Sequence, residues 1–217
     1  MTQHTPDRRF QIAQDKALAD WAAVDPARCA ALAGCQPTPD GILAPFFGRP
    51  YLVTHPQGIV ETLPVEMLHA TSLQADAASP QKPAHISIQI LLLHYLLTAD
   101  GVPPADRWLT FRELPDGLFY AQAFAGHAEG LLAERFGEDL EGFRRAAGAL
   151  GGSRIDLADA AYRFQALPRL AVAVLIWQGD EDFPAQARVL FDAHAGHYLP
   201  TEDLSGLGDW LAHRLTR

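Results

Sequence analysis

The sequence has little of what marks several classes of protein. Of its 217 residues only Cys29 and Cys35 are cysteines, which excludes a small fold held together by disulfides, and their spacing matches no zinc or iron–sulfur pattern. Positive charge is also scarce, because 17 Lys and Arg stand against 26 Asp and Glu and leave a formal net charge of −9. Since this charge repels phosphate backbones, the composition argues against a nucleic-acid-binding protein.

Long apolar runs are absent as well. The most apolar segments, 86–97 and 167–177, fall short of the roughly 20 residues that a membrane-spanning helix needs. The first twenty residues contain several charged side chains and lack the apolar core of a signal peptide. We therefore expect a soluble, cytoplasmic protein with reduced cysteines, without membrane insertion.

Signature motifs of common enzymes are missing too. The chain has no nucleophile-elbow, Walker or dinucleotide-binding glycine pattern. What it does have is an ordinary globular composition, with 48% hydrophobic and 20% charged residues. A packed fold is therefore expected, but no reaction follows from the motifs.

Apolar spacing and capping residues predict most of the helices. Helices are predicted over residues 7–24, 26–33, 86–98, 131–136, 140–150, 184–195 and 202–215. Asp25 and Gly34 suit the two ends of the second helix, Asp182 would cap the sixth, and Thr201 the last. The helix over 86–98 is apolar on almost every side and should be buried.

Short apolar or β-branched runs predict the strands. Strands are predicted over residues 42–47, 51–54, 59–63, 108–112 and 170–177, and residues 117–124 form either a hairpin arm or a helix. The run 170–177 contains no charge and should lie mid-sheet. We predict a single α+β domain over 1–217, with N-terminal helices in 1–34, and in 35–217 a main body with a mainly antiparallel or mixed sheet packed against helices.

The segment Trp177-Gln178-Gly179-Asp180-Glu181-Asp182-Phe183-Pro184 places three consecutive carboxylates directly after the most apolar strand. Asp180 and Glu181 could share a proton or a cation because they repel each other. The simpler interpretation is that the acids cap the following helix. A cleft lined by Trp177, Phe183, Asp180 and Arg112 is the ligand site we expect here.

Three histidines and a tyrosine are further candidates for binding a metal or a ligand. His194 and His197 stand three residues apart, a spacing at which two helical imidazoles could share a metal, although Gly196 weakens the helix. His94 and Tyr95 interrupt an apolar helix and need hydrogen-bond partners or a ligand. If that helix packs across 170–177, His94 could face the same interior.

Arg112 and Glu113 follow the strand predicted from Trp108. An arginine fork could bind the acid group of a ligand, or it could hold Glu113 or Asp116 in place. Both interpretations are retained. The expected ligand-binding residues are therefore His94, Tyr95, Arg112, Glu113, Trp177, Asp180, Glu181 and Phe183.

Six segments taken together resemble a bacterial and archaeal family described as domain of unknown function 3786. They are Ile90 to Leu97, Phe111-Arg112-Glu113-Leu114-Pro115, Leu150-Gly151-Gly152, Leu167-Pro168-Arg169, Trp177 to Pro184 and Leu190-Phe191-Asp192. Many relatives look like proteins of anaerobes, and some carry a cysteine-rich iron–sulfur module of the sort seen in corrinoid proteins. This chain lacks those cysteines, so the resemblance implies that any link to corrinoid or tetrapyrrole metabolism runs through a partner or bound ligand.

Three functions remain in competition. The first, which we favour, is a non-catalytic accessory protein that binds a small molecule, a cofactor of unknown identity or a redox protein partner. The second is a metal-assisted hydrolase or lyase using Asp180, Glu181, His194 and His197, which must then converge on one point. The third is a structural or oligomeric protein in which the motifs only serve packing.

Overall fold

The structure is a computed structural model that describes residues 8–66 and 82–217. These residues form two compact units, the first ending at Val102 and the second covering Pro103–Arg217. Each unit combines helices with an antiparallel sheet, which confirms the predicted α+β class. The assignment of residues 1–217 to a single domain stays a prediction, and the division between compact units falls at Val102 rather than at residue 34.

The first unit contains three helices and a five-stranded sheet. The helices are α1 Arg8–Ala22, α2 Pro26–Ala33 and α3 Ile86–Thr98. The strands are β1 Gln36–Thr38, β2 Gly41–Phe46, β3 Arg49–Thr54, β4 Val60–Thr62 and β5 Lys82–Pro83. They pair in chain order, all antiparallel, and the strands predicted over 42–47, 51–54 and 59–63 correspond to β2, β3 and β4.

Helix α2 has the predicted ends for the predicted reasons. The Asp25 carboxylate accepts a hydrogen bond from the Ala27 N–H at 3.0 Å, which satisfies a donor left free at the helix start. Gly34 adopts φ 69°, a left-handed conformation that few other residues tolerate, and its N–H donates to the last turn. Cys29 and Cys35 are free thiols, and burial raises the pKa of Cys35 to about 12.

Helix α3 is buried, as expected. It packs against α1 and α2, and the Tyr95 hydroxyl donates to the Ala33 carbonyl oxygen at 2.6 Å. The segment 170–177 belongs to the second unit. The interior that His94 could share with this segment therefore stays a prediction.

The second unit builds its sheet in the order β6-β10-β9-β8-β7, again entirely antiparallel. The strands are β6 Trp108–Thr110, β7 Ser153–Arg154, β8 Ala160–Leu167, β9 Leu170–Trp177 and β10 Gln186–Asp192. The α-helices are α4 Gly117–Phe124, α5 Leu131–Phe136, α6 Leu140–Ala149 and α7 Thr201–Leu215. Residues 117–124, left open by the sequence, are therefore helical.

Strand β9 occupies the centre of this sheet, as predicted. Seven of its eight residues are buried, and Trp177 at its end is half-buried. Strands β8 and β10 pair with it on either side, and α5 packs against it. The strand contains no charged residue because its central position buries both of its faces.

The helix predicted over 184–195 is wrong, because this segment forms strand β10. Ala187, Val189 and Phe191 are buried while Gln186 and Arg188 are exposed, which is the two-residue period of a strand. Asp182 consequently caps no helix.

The predicted cap at Thr201 is wrong as well. Thr201 is the first residue of α7, and its hydroxyl donates to the Pro115 carbonyl oxygen at 2.6 Å instead. The acidic first turn of the helix, with Glu202 and Asp203, is present as expected.

A π-helical turn, Ala125–Gly130, connects α4 to α5. Such turns contain one extra residue per turn, and they often occur where a side chain must be placed for function.

None of the described helices combines the length and the apolar character that crossing a bilayer demands.

Candidate ligand-binding groove

The edge of strand β10 is only partly covered by β6. Strand β6 pairs with Leu190, Phe191 and Asp192 and then ends at Thr110. The Val189 N–H and the Ala187 carbonyl therefore face an edge where no strand continues the ladder. Backbone groups at such an edge need other partners when they are buried.

Glu129 of the π turn supplies one of these partners. Its carboxylate accepts the Val189 N–H at 3.1 Å and lies 3.2 Å from an Nη1 of Arg188. The residue is only 8% exposed. Burial raises the pKa of the Glu129 carboxyl, and this outweighs the lowering by the Val189 hydrogen bond and the Arg188 charge.

Arg188 supplies the other partner. Its guanidinium donates to the Ala187 carbonyl oxygen at 2.9 Å as well as to Glu129. The Arg188 side chain nevertheless remains 44% exposed. Glu129 and Arg188 thus close the strand edge together, while part of the guanidinium stays available to solvent.

A groove of about 490 Å³ lies over this pair. Its lining residues are Thr110, Phe111, Arg112, Leu118, Ala121, Gln122, Phe124, Ala125, Glu129 and Arg188. Arg112 is exposed, and nothing in residues 8–66 or 82–217 engages its guanidinium in a hydrogen bond or ion pair. Two guanidinium groups and one carboxylate therefore share the groove, so its charge is net positive in a protein that is negative overall.

The apolar floor of the groove is tightly packed. Phe111 and Phe124 stack with their ring centroids 4.3 Å apart, and Phe191 packs against both. Helix α7 approaches closely from below, because a Cβ on Gly208 would lie 2.5 Å from the Phe124 ring. The floor is thus fixed by core packing, which favours a preformed site.

A smaller cavity of about 300 Å³ lies beside Trp177, where the sequence predicts a cleft. Trp177, Phe183 and Arg188 are among the residues that line it. Phe183 is 67% exposed, whereas Trp177 packs partly on the buried cluster of Ala161, Ala173 and Leu175. Arg188 lines both cavities, so the two share one arginine.

Asp180 and Glu181 do not line either cavity. The Asp180 carboxylate accepts the backbone N–H groups of Asp182 and Phe183 at 2.9 and 2.7 Å, and so it closes the β9–β10 connection. Glu181 is exposed in the same loop. The acidic cluster therefore shapes a turn, and of the predicted cleft residues only Trp177 and Phe183 line the cavity there.

Glu113 has a local role at the end of β6. Its carboxylate accepts both the N–H and the hydroxyl of Thr110, at 2.8 and 2.7 Å, as in a capping box. The Thr110 hydroxyl, then its N–H, holds the pKa of the Glu113 carboxyl below its ordinary value. The predicted pairing of Arg112 with Glu113 or Asp116 is thus replaced by a Thr110–Glu113 contact, which leaves Arg112 to the groove.

The proposed metal ligands do not converge. Asp180 and Glu181 precede β10 and His194 and His197 follow it, and a strand of seven residues spans roughly 20 Å. The two histidine rings do lie together, with centroids 5.3 Å apart, and the His194 Nδ1 lies 2.9 Å from the Pro103 carbonyl oxygen. Within the described part of the chain, no three His, Cys, Asp or Glu side chains are placed to hold a metal ion.

His94 and Tyr95 belong to the first unit and do not line the groove. Tyr95 is fully buried and its hydroxyl binds the end of α2, which is the packing interpretation of this residue. His94 is half-buried on α3. Their assignment to a ligand site stays a prediction.

Sequence reasoning missed Glu129 and Arg188. Glu129 lies between residues 117–124, which the sequence left open, and the helix predicted over 131–136, in a segment without a recognisable motif. Arg188 lies in the segment predicted to be a helix. The alternation of polar and apolar residues along 186–189 is a weak signal for a strand, but no pattern in the sequence indicates which side chain closes its edge.

Comparisons with known proteins identify the family. The family model described as Domain of unknown function (DUF3786) matches residues 25–214, so the chain belongs to that family, and the resemblance drawn from the six segments is confirmed. No curated protein and no solved structure matches the chain.

Proposed function

We propose that this protein is a non-catalytic accessory protein that binds a small molecule in the groove over the β10 edge. The observation that carries the proposal is the pair of arginines in one preformed groove, since Arg112 has no partner among the described residues and Arg188 is only partly engaged. Small-molecule sites are typically concave, apolar at the base and furnished with a few converging polar groups. The groove has these features, and its volume falls within the range of such sites.

The neighbouring cavity extends this site toward aromatic side chains. Arg188 lines both cavities, while Trp177 and Phe183 belong only to the smaller one. A ligand with a flat apolar portion could contact these rings while a polar group reaches the arginines. This arrangement supports binding rather than the metal-assisted reaction, whose four residues lie at opposite ends of β10.

A cofactor or redox partner from corrinoid or tetrapyrrole metabolism is the most specific form of this proposal. Its support is the family resemblance alone. Protein purified without oxygen should then show visible absorption bands together with added mass in native mass spectrometry. Added mass without visible bands would leave a colourless small molecule as the ligand.

The groove is tested by filling it. Ala121 lines the groove and Ala123, two residues further along α4, is exposed and does not. Ala121→Trp should abolish retention of the added mass, whereas Ala123→Trp should leave it unchanged. Retention that is equal in both variants, or absent from the wild-type protein and from protein incubated with a small-molecule library, would overturn the proposal.

A structural or oligomeric role is the second candidate, and a separate observation favours it. Leu118, Phe119 and Tyr120 are consecutive on α4 and are 58%, 83% and 56% exposed. Contiguous exposed apolar residues often mark protein interfaces. A mass from light scattering that falls to that of one chain in Phe119→Ser would support this role, and one-chain mass in the wild-type protein at all concentrations would exclude self-association.

A further inference from the structure

The chemistry of the groove defines the class of ligand more narrowly than its volume does. Arg112 and Arg188 carry two positive charges into the groove, and Glu129 is its one acidic lining residue. Guanidinium groups bind carboxylate and phosphate oxygens with paired, charge-assisted hydrogen bonds. The remaining polar lining residues, Thr110 and Gln122, are neutral.

The contact between Arg188 and Glu129 leaves room for competition. A single Nη1 of Arg188 reaches one carboxylate oxygen at 3.2 Å, and the same Nη1 donates to the Ala187 carbonyl. The other Glu129 oxygen is held by the Val189 N–H. Glu129 could therefore keep its backbone hydrogen bond while an incoming anion takes over the Arg188 guanidinium.

We propose that the groove binds a ligand through a carboxylate or phosphate group held between Arg112 and Arg188, and that this group replaces Glu129 as the counter-ion of Arg188. This inference rests on the proposed small-molecule function and adds the charge of the ligand and the fate of Glu129. It makes Arg112 and Arg188 ligand-binding residues. Glu129 becomes a residue that opposes binding when ionised and permits it when protonated.

The charged groups around Glu129 determine how binding of the anion depends on pH. Arg188 from β10 lies against its carboxyl, and Arg112 faces the same groove. Helix α4 contains no charged residue, and α5 contributes Glu134 and Arg135, the latter paired with Asp139. From α7, Asp209 interacts with His127 of the π turn and with His213 of its own helix. Because an ionised Glu129 competes for Arg188, binding of the anion should be accompanied by proton uptake at this residue.

The test uses three probes of similar size and different charge. Phenyl phosphate and benzoate carry the proposed anionic groups, and benzamide is the neutral counterpart of benzoate. Isothermal titration with the full chain should show binding of one or both anions and none of benzamide. Direct comparison of the two anions distinguishes a phosphate ligand from a carboxylate ligand.

Charge variants with matched controls complete the test. Arg112→Gln should weaken binding of the anion by about tenfold or more, the usual size of a lost charge-assisted pair. Arg154→Gln removes the same charge from a side chain that is 71% exposed and lies outside the groove, and should change the affinity less than about twofold. Glu129→Gln should strengthen binding and abolish the dependence of the measured enthalpy on buffer ionisation.

The outcomes separate the two proposals. Equal binding of benzamide and benzoate that Ala121→Trp abolishes and Arg112→Gln does not would overturn the anionic class and retain the small-molecule function. Binding of the anions that Arg112→Gln and Arg154→Gln weaken equally would overturn the assignment to this groove. Absence of binding by every probe overturns the anionic class, and the small-molecule function falls with it if the purified protein also retains no added mass.

Discussion

Two buried carboxylates lie at strand β10, and they differ in the number of hydrogen-bond donors that hold them. At the strand end, Asp192 is 5% exposed and accepts three backbone N–H groups, from Ala105, Asp106 and His194, at 2.8–3.0 Å. At the strand edge, Glu129 accepts one backbone N–H and shares a half-exposed arginine with a groove. Burial alone therefore does not identify a functional acid. The number of fixed donors around a carboxylate distinguishes one that organises the fold from one that a ligand can displace.

The largest expected effect on stability comes from removing the Asp192 carboxylate. Asp192→Ala leaves three N–H groups without the charged acceptor they share, so we expect the free energy of unfolding to fall by about 3 kcal/mol. Denaturant unfolding measures the change. Asp156→Ala, at a carboxylate whose side chain is 92% exposed, should change it by no more than about 0.5 kcal/mol. Equal losses in the two variants would remove the structural role given to Asp192.

A substitution under the groove floor should have the next largest effect. A Cβ at position 208 would lie 2.5 Å from the Phe124 ring, whereas at Gly206 of the same helix no atom lies within 4 Å. Gly208→Ala should therefore destabilise the protein by about 2 kcal/mol. Gly206→Ala should stabilise it by about 1 kcal/mol, because alanine favours a helix. Thermal unfolding of both variants distinguishes overpacking from a general effect of alanine.

The pH dependence of stability tests Glu129 directly. Burial raises its pKa in the folded protein above the ordinary value of 4.5, so its ionisation opposes folding. The wild-type free energy of unfolding should fall as the pH rises from about 4.5 through the raised pKa. Glu129→Gln should gain stability relative to wild type over that interval, because the glutamine side chain does not ionise. A difference that stays constant from pH 4 to pH 8, or that Glu138→Gln at an exposed position reproduces, would contradict this interpretation.

The smallest effect on stability is expected for the groove arginine. Arg112 is exposed and has no partner within residues 8–66 and 82–217, so Arg112→Gln should change the free energy of unfolding by less than about 0.5 kcal/mol. Ligand binding should nevertheless depend on it. Unfolding and titration measured on the same preparation provide the comparison. A large loss of stability would show that Arg112 supports the fold, like Asp192, and would remove it from the ligand site.

The sequence predicts a helix or a strand correctly where neighbouring residues determine it. Asp25, Pro26 and Gly34 fix the ends of α2 within ten consecutive residues, and an uncharged apolar run identifies β9 as a central strand. Strand β10 was mistaken for a helix because Gln, Ala, Arg and Leu favour helices. Its burial pattern comes from pairing with β9 and β6, which no local propensity reports.

The candidate site is harder to predict because it is assembled from distant segments. Arg112 could be named as a ligand-binding residue, since it follows a predicted strand and an arginine fork can bind the acid group of a ligand. Glu129 and Arg188 are 59 residues apart in the sequence. They are in contact because β6 ends early and the π turn covers the part of the β10 edge that β6 leaves open. Trp177 and Phe183 were identified from their position after a buried strand, whereas the acids between them turned out to form the turn.

The early end of β6 also bears on whether a strand of another molecule can add to this edge of the sheet. A strand edge with free N–H and carbonyl groups is a template to which a strand of another molecule can add, and such addition leads to fibrils. Here two side chains of opposite charge, Glu129 and Arg188, occupy that template at Val189 and Ala187. With these backbone groups already occupied, Val189 and Ala187 offer no free hydrogen-bonding positions to an added strand.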